Sequence, residues 1–532
     1  MPTSPPFDEV RSGRVIARSP RSLLAMHSAS AAMAAALLIS RDARAMDPDL
    51  TSDTAAQFYD VRSPTGETTL NRRRLTTMLG LAAYDLLDTP PGDPKAPELT
   101  LTLRLRYDAD YGAPSAASDP TQINSFVPGF NPALVDLMYG YVEGRRFLGG
   151  WFGFKVGRQY VTDALGWWSF DGGEASVTTP YYVKAEVYGG LEQRGGLPLS
   201  TSRFESDGVW RGDRANPNFL PTMYPAFQVP DIAPAIGVAL ETTGVTWLHG
   251  RVTYRQVYNT SNSNTSEFAS GLYPPSTYKS FRISSDRLGY EMDSNLPSVG
   301  GVKGGIVYDF YRSQVTSGYA SLDAYAGKRV TLSVDYDYYQ PSFDADSIWN
   351  FFAGEPRSNL GLRGNFNVTD HLSLSADGHV RIFAVASSDP NASSYVTFTS
   401  AADHAYGTGY FPPSSHSFDE GGDLSARWRT GATRVAVHAS GDFGEEGDRA
   451  GGDVSAEHVF ETRYVVGGRA GFWQWKDALR ADQATSSFQY VANLGYRFLP
   501  RCQGAVEWEH DINGLVGQRF RVMLLLSLGV GK

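Results

Sequence analysis

Cysteine is nearly absent: Cys502 is the only one among 532 residues. One thiol cannot build an internal disulfide framework or a cysteine-rich metal centre. A positive balance is missing as well. The formal net charge is −10 at pH 7, whereas a nucleic-acid binder presents a basic face to a polyanion. Beyond residue 45 no apolar run reaches about 18 residues, so no spanning helix is expected there. Nor does any signature recur at about 40–50 residues, as a β-propeller would require.

Aromatic residues and glycine are what the chain has instead, with 29 Tyr, 28 Phe, 10 Trp and 55 Gly. Their setting is clearest in the stretch ELTLTLRLRYDADY, residues 98–111. Leu99, Leu101, Leu103, Leu105, Tyr107, Ala109 and Tyr111 alternate with Glu98, Thr100, Thr102, Arg104, Arg106, Asp108 and Asp110. A two-residue period is that of a β-strand with one apolar and one polar face. The pattern returns in RVTLSVDYDYY, NLGLRGNFNV, LSLSADGHVRIF, SFQYVANLGYRF and RFRVMLLLSLGV. Each run is about ten to thirteen residues long, enough to cross a bilayer as a tilted strand.

The only long apolar stretch lies at the start. Arg11, Arg14, Arg18 and Arg21 precede residues 23–39, which are mostly Leu, Ala and Met, and Ala43-Arg44-Ala45 fits a small-x-small cleavage site. Residues 1–45 read as an export signal, 46–69 as a periplasmic N-terminal segment, and 70–532 as the strand-bearing domain.

Connections alternate in length. Tight links stand at 178–182, 241–245, 325–329, 367–371, 429–433 and 499–503. Long polar loops stand at 112–133, 195–232, 259–279, 340–357 and 384–417. Short turns at one end and long loops at the other are the mark of an outer-membrane barrel, which closes because hydrocarbon tolerates no unpaired backbone edge. The fold expected is therefore all-β, a single antiparallel up-and-down barrel in the outer membrane of a Gram-negative cell. Counting runs gives about 21 candidates between residues 70 and 530, the weakest at 72–87.

In such a barrel the polar faces line a lumen. Alternation assigns to it Arg104, Arg106, Lys155, Lys184, Glu186, Arg255, Asp335, Asp337, Arg363, Asp377, Arg381, Arg427, Arg429, Arg434, Arg497, Arg519 and Arg521. Rings of charge select solutes at close range; opposite charges on neighbouring strands also pair with each other and stiffen the wall. Tyr188, Trp247 and Tyr339 are inward aromatics by the same parity. A hydrolytic barrel would need His249, His379 or His438 beside a nucleophile such as Ser375 or Ser440, with Asp377 or Asp442 behind it. No motif with the spacing of a mechanism supports an enzyme, and no cofactor or metal is implied. The acidic tract 441–453 lacks EF-hand spacing and reads as a surface loop.

Two short motifs carry a resemblance. Gly157-Arg158-Gln159 at a strand end, followed by Phe170-Asp171-Gly172 opening the next strand, is similar to the alginate-export family of outer-membrane barrels. VEWEHDINGLVGQRFRVMLLLSL (506–528) resembles the closing hairpin of barrels that accompany exopolysaccharide secretion. An odd run count would leave the chain ends on opposite sides, and with the 18-stranded channels that the resemblance implies it sets the expected number at about 18, within about 16–20; the resemblance further implies export of a secreted polysaccharide chain with a periplasmic export protein as partner. It also implies that Arg158 and Asp171 line the pore mouth. The alternative reading is a general or substrate-selective diffusion porin for small polar solutes.

Overall fold

The two-residue period is realised as antiparallel strands that close on themselves. The computed structural model describes residues 47–87, 89, 93, 95–110, 135–193, 233–260, 282–342, 356–384, 416–444, 447–477 and 484–531. The export signal read in residues 1–45 lies outside the described residues. The first strands are β1 (Asp47–Arg62), β2 (Thr68–Tyr84), β3 (Glu98–Asp110), β4 (Val135–Arg146), β5 (Phe152–Asp163), β6 (Gly166–Thr178) and β7 (Val183–Glu192). There follow β8 (Pro234–Thr242), β9 (Leu248–Asn259), β10 (Arg282–Leu296), β11 (Gly300–Asp309), β12 (Gln314–Ala326), β13 (Val330–Tyr339) and β14 (Arg357–Asn367). The wall is completed by β15 (Leu372–Ala384), β16 (His416–Thr430), β17 (Thr433–Gly444), β18 (Gly447–Phe460), β19 (Tyr464–Asp477), β20 (Ala484–Leu499), β21 (Cys502–Asn513) and β22 (Gly517–Val530).

Each strand pairs antiparallel with its sequence neighbours, and β1 pairs with β22, so the 22-stranded sheet has no free edge. An even number returns both ends of the chain to one side of the wall. Outer-face residues such as Leu362 and Leu424 stay 59% and 64% exposed, a burden in water but the proper surface against lipid tails. The closed wall with its oily exterior places the protein in the outer membrane. None of the described helices is long and apolar enough to span a bilayer.

The expectation of about 18 strands is corrected to 22. One reason is β1, which occupies most of the segment read as periplasmic. Its outward residues include Ser52, Thr54 and Ala56, so the oily side is too weak to betray the period. Another is 72–87, the faintest of the runs, which contributes a full strand, β2. The rest of the shortfall came from taking the odd run count as one too many, whereas β1 is the strand that makes it even. A smaller correction concerns the tract 441–453. It belongs to the β17–β18 hairpin, with only residues 445–446 between the strands.

Candidate functional site

A row of glycines sets the site. Gly157, Gly172 and Gly190 stand opposite one another on β5, β6 and β7. Gly157 has φ +132°, a conformation that side chains rarely adopt, and a Cβ there would strike the carbonyl oxygen of Gly140. Gly172 and Gly190 approach so closely that a Cβ on either would run into the other's strand. The row is a crease. Above it β5 pairs with β4 no further than Arg158, and β6 pairs with β7 no further than Phe170. Among the described residues, 159–168 find strand partners only within the β5–β6 hairpin, which closes in the tight turn after Asp163.

This hairpin lies inside the barrel against the inner wall. Trp168 and Phe170 stack at 4.3 Å and join Tyr188, Ala233, Ala235 and Val257 in the largest buried apolar cluster among the described residues. Phe170 and Gln159 are fully buried. The guanidinium of Arg255 sits 5.0 Å above the Trp168 ring and donates to the carbonyl of Leu165 at 3.3 Å. At the tip, Ala164 and Leu165 reach Gly289 on β10, where a Cβ would meet both within 3 Å. The indole of Trp168 donates to Glu192 at 2.9 Å, and the Ser169 hydroxyl bonds Gln193 at 3.0 Å.

Beneath the tip lies a charged cluster on the inner faces of β7–β9. Glu186, buried, bonds Lys184 and Arg251, both at 2.5 Å. Arg251 also reaches Glu241 at 2.7 Å, and His249 stands 3.1 Å from the same carboxylate. Asp163, at the hairpin end, lies 4.0 Å from Arg255.

The opposite side of the hairpin carries a second set of rings. Tyr141 and Tyr139 on β4 lie 6.1 Å apart, Tyr160 lies 5.6 Å from Tyr139, and Trp167 lies 6.1 Å from Tyr160. Lys155 stands 5.3 Å over the Tyr141 ring and 3.7 Å from Glu174.

Among the sequence-assigned residues, most are engaged with one another along the inner wall. Arg158 and Asp171 form a two-pronged ion pair, 2.7 and 2.8 Å, across the base of the hairpin, and Arg158 also donates to the carbonyl of Leu137 at 2.9 Å. They fasten the hairpin to the wall. Arg104 meets Asp53 at 2.9 Å, and Arg106 is buried. Arg363 and Asp377 are 3.4 Å apart, and Arg381 bonds Asp442 at 3.0 Å. Arg519 and Arg521 share the carboxylates of Glu507, Glu509 and Asp511. Asp335 and Asp337 project inward from β13, and Asn359 donates to Asp337 at 3.4 Å. Arg497 is exposed near the end of β20.

Arg427, Arg429 and Arg434 are also exposed, and they border an alcove of about 840 Å³ together with Glu457, Arg469 and Glu507. Of the aromatic trio, Tyr188 is buried under the hairpin, Trp247 lies in the β8–β9 turn, and Tyr339 stays on the inner face with Arg357 5.8 Å over its ring.

Among the described residues the candidate histidines His249, His379 and His438 bond carboxylates and not a serine. His379 bonds Asp442 at 2.8 Å and faces Asp377, while His438 bonds Asp423 at 2.9 Å. Ser375 bonds Ser425 instead. Asp377, His379 and Asp423 bring ligand atoms within 4.8 Å of one another. All three already serve the ion-pair ladder.

Sequence alternation missed the hairpin's departure from the wall. Two signals were present: glycines at matching heights on three successive strands, and Tyr160, Trp167, Trp168 and Phe170 spread over both faces of one hairpin.

No family model matches the chain, and no curated protein matches it in sequence. Solved structures do align along most of it. The outer-membrane protein OpdK of Pseudomonas aeruginosa is 11% identical over 91% of this chain and 99% of its own, with a TM-score of 0.38. A BenF-like porin of Pseudomonas fluorescens Pf-5 is 8% identical over 92% and 99%, with a TM-score of 0.42. OccAB3 of Acinetobacter baumannii is 10% identical over 91% and 100%, with a TM-score of 0.40. Likeness at this level assigns no substrate.

The resemblance to alginate-export barrels is corrected accordingly. The wall has 22 strands where about 18 are implied, and the motif that suggested export builds the crease and clasp of an inward hairpin. The polysaccharide chain and the periplasmic export protein implied as partners are thereby left without support.

Proposed function

We propose that the protein is a diffusion channel of the outer membrane, selective for small polar solutes. The observation that carries this reading is the β5–β6 hairpin, folded inside the barrel and cemented to the inner wall from β7 to β10. A segment so placed narrows the path, and a narrowed path lined by fixed charges sorts solutes by size and sign. In this reading the inner-face charges, including Arg104, Lys155, Lys184, Glu186, Arg255, Arg363, Arg381, Arg519 and Arg521, line the route. Most stand in opposite-sign pairs, which hold the wall rigid and leave the lumen polar without a dominant sign. Arg427 and Arg429, exposed at the alcove, are the groups most open to a passing anion.

The test is swelling of liposomes carrying the purified protein, in isosmotic solutes of rising mass. Small sugars and amino acids are expected to enter, with entry vanishing as mass increases. A preparation that admits no solute, or that admits long dextrans as fast as monosaccharides, would overturn the reading.

A further inference from the structure

The hairpin has two aromatic faces with different fates. Trp168 and Phe170 are sealed against the wall, as core rings are. Tyr139, Tyr141, Tyr160 and Trp167 are not sealed: Tyr160 is 39% exposed and the other three are half-buried. Leaving four ring surfaces open forfeits the stabilisation that burying them would bring. A core function would have closed them. They run in unbroken succession from the wall onto the hairpin, at steps of 6.1, 5.6 and 6.1 Å.

The charges beside the rings cancel. Lys155 stands with Glu174, and Arg145 bonds Glu143 at 2.9 Å. Arg158 is bound to Asp171. A charged solute finds no net attraction there, whereas a hydroxyl-rich solute finds donors and acceptors beside a row of tilted rings. We propose that these four rings are a stacking track for neutral sugars of one to a few rings, which slide with a ring face on the aromatics and hydroxyls toward Lys155, Glu143 and Glu174. The track deepens the channel reading above and rests on it.

The experiment is single-channel recording in potassium chloride with a neutral disaccharide or trisaccharide added. Open-channel conductance in salt alone tests the channel. Concentration-dependent interruption of the current by the sugar tests the track. Tyr160→Ala and Trp167→Ala are each expected to weaken the blocking constant about three- to tenfold, the value of one ring stack, while Tyr160→Phe, which keeps the ring, retains it. A conducting channel that no neutral sugar blocks would overturn the track while leaving the channel intact. So would a block unchanged in both alanine variants, or a block by benzoate in place of sugar. Circular dichroism and unheated gel mobility confirm that each variant is a folded barrel before it is recorded.

Discussion

Replacing Phe170 by alanine separates the hairpin from the wall more cleanly than any other single change. Phe170 is fully buried, stacked on Trp168 at 4.3 Å and 5.9 Å from Tyr188. Truncating such a ring costs about 3–5 kcal/mol from lost transfer energy and the cavity left behind. At 1.4 kcal/mol per factor of ten, that is roughly two to three and a half decades in the balance between docked and undocked hairpin. The barrel itself should survive, because, among the described residues, 159–168 pair only within the hairpin, and the backbone of residue 170 keeps its pairing with Glu192 when the ring is removed. The remaining anchors, among them the Arg158–Asp171 clasp, the Trp168 bond to Glu192 and the Arg255 bond to Leu165, tether base and tip without filling the cavity. Planar-bilayer recordings of Phe170→Ala are expected to show larger or flickering conductance, with the heat resistance of the barrel on gels preserved. If the variant keeps the parent conductance and noise while running as a folded barrel, the hairpin does not set the aperture.

Three further outcomes follow from the same geometry. Leu424→Arg puts a charge on the outer face near the middle of β16 and should destabilise the barrel by about 2–4 kcal/mol, whereas Ser425→Arg, its inward neighbour, should cost far less; refolding into vesicles under denaturant titration measures both. Glu186→Gln leaves Lys184 and Arg251 facing an uncharged amide in a buried site, so stability should fall by about 3–5 kcal/mol in the same titration. Paired replacement of Arg427 and Arg429 by glutamine removes two exposed cations from the alcove. The reversal potential in a salt gradient should move toward cation preference, and an unchanged potential would exclude the alcove from the conducting path.

The wall was legible in the sequence because lipid on one side and water on the other impose opposite demands on successive residues. Leu332, Val334 and Leu362 face outward and Asp335, Arg363 and Asp377 inward, as alternation requires. Legibility fades where that contrast fades: β1 has threonine, serine and alanine toward the lipid, so its period is faint although its hydrogen bonds are complete. Pairing across strands was readable as a tendency, yet which carboxylate each arginine takes depends on register. Arg519 and Arg521 share three acidic groups through positions on β21 that spacing along the chain does not rank.

The hairpin marks the limit of period-based reading, because alternation describes a strand relative to its own sheet and is blind to the sheet folding over. Gly157-Arg158-Gln159 and Phe170-Asp171-Gly172 therefore drew notice for the wrong reason. Their glycines make the crease, their charges clasp its base, and Gln159 and Phe170 are the first residues buried beyond it. A motif needed to bend one hairpin into a lumen can serve barrels with different cargoes. What such a motif encodes is the bend. In the proposed channel the cargo is read by the side chains that the bent hairpin leaves uncovered, here Trp167 beside Tyr160, and Tyr160 beside Tyr139.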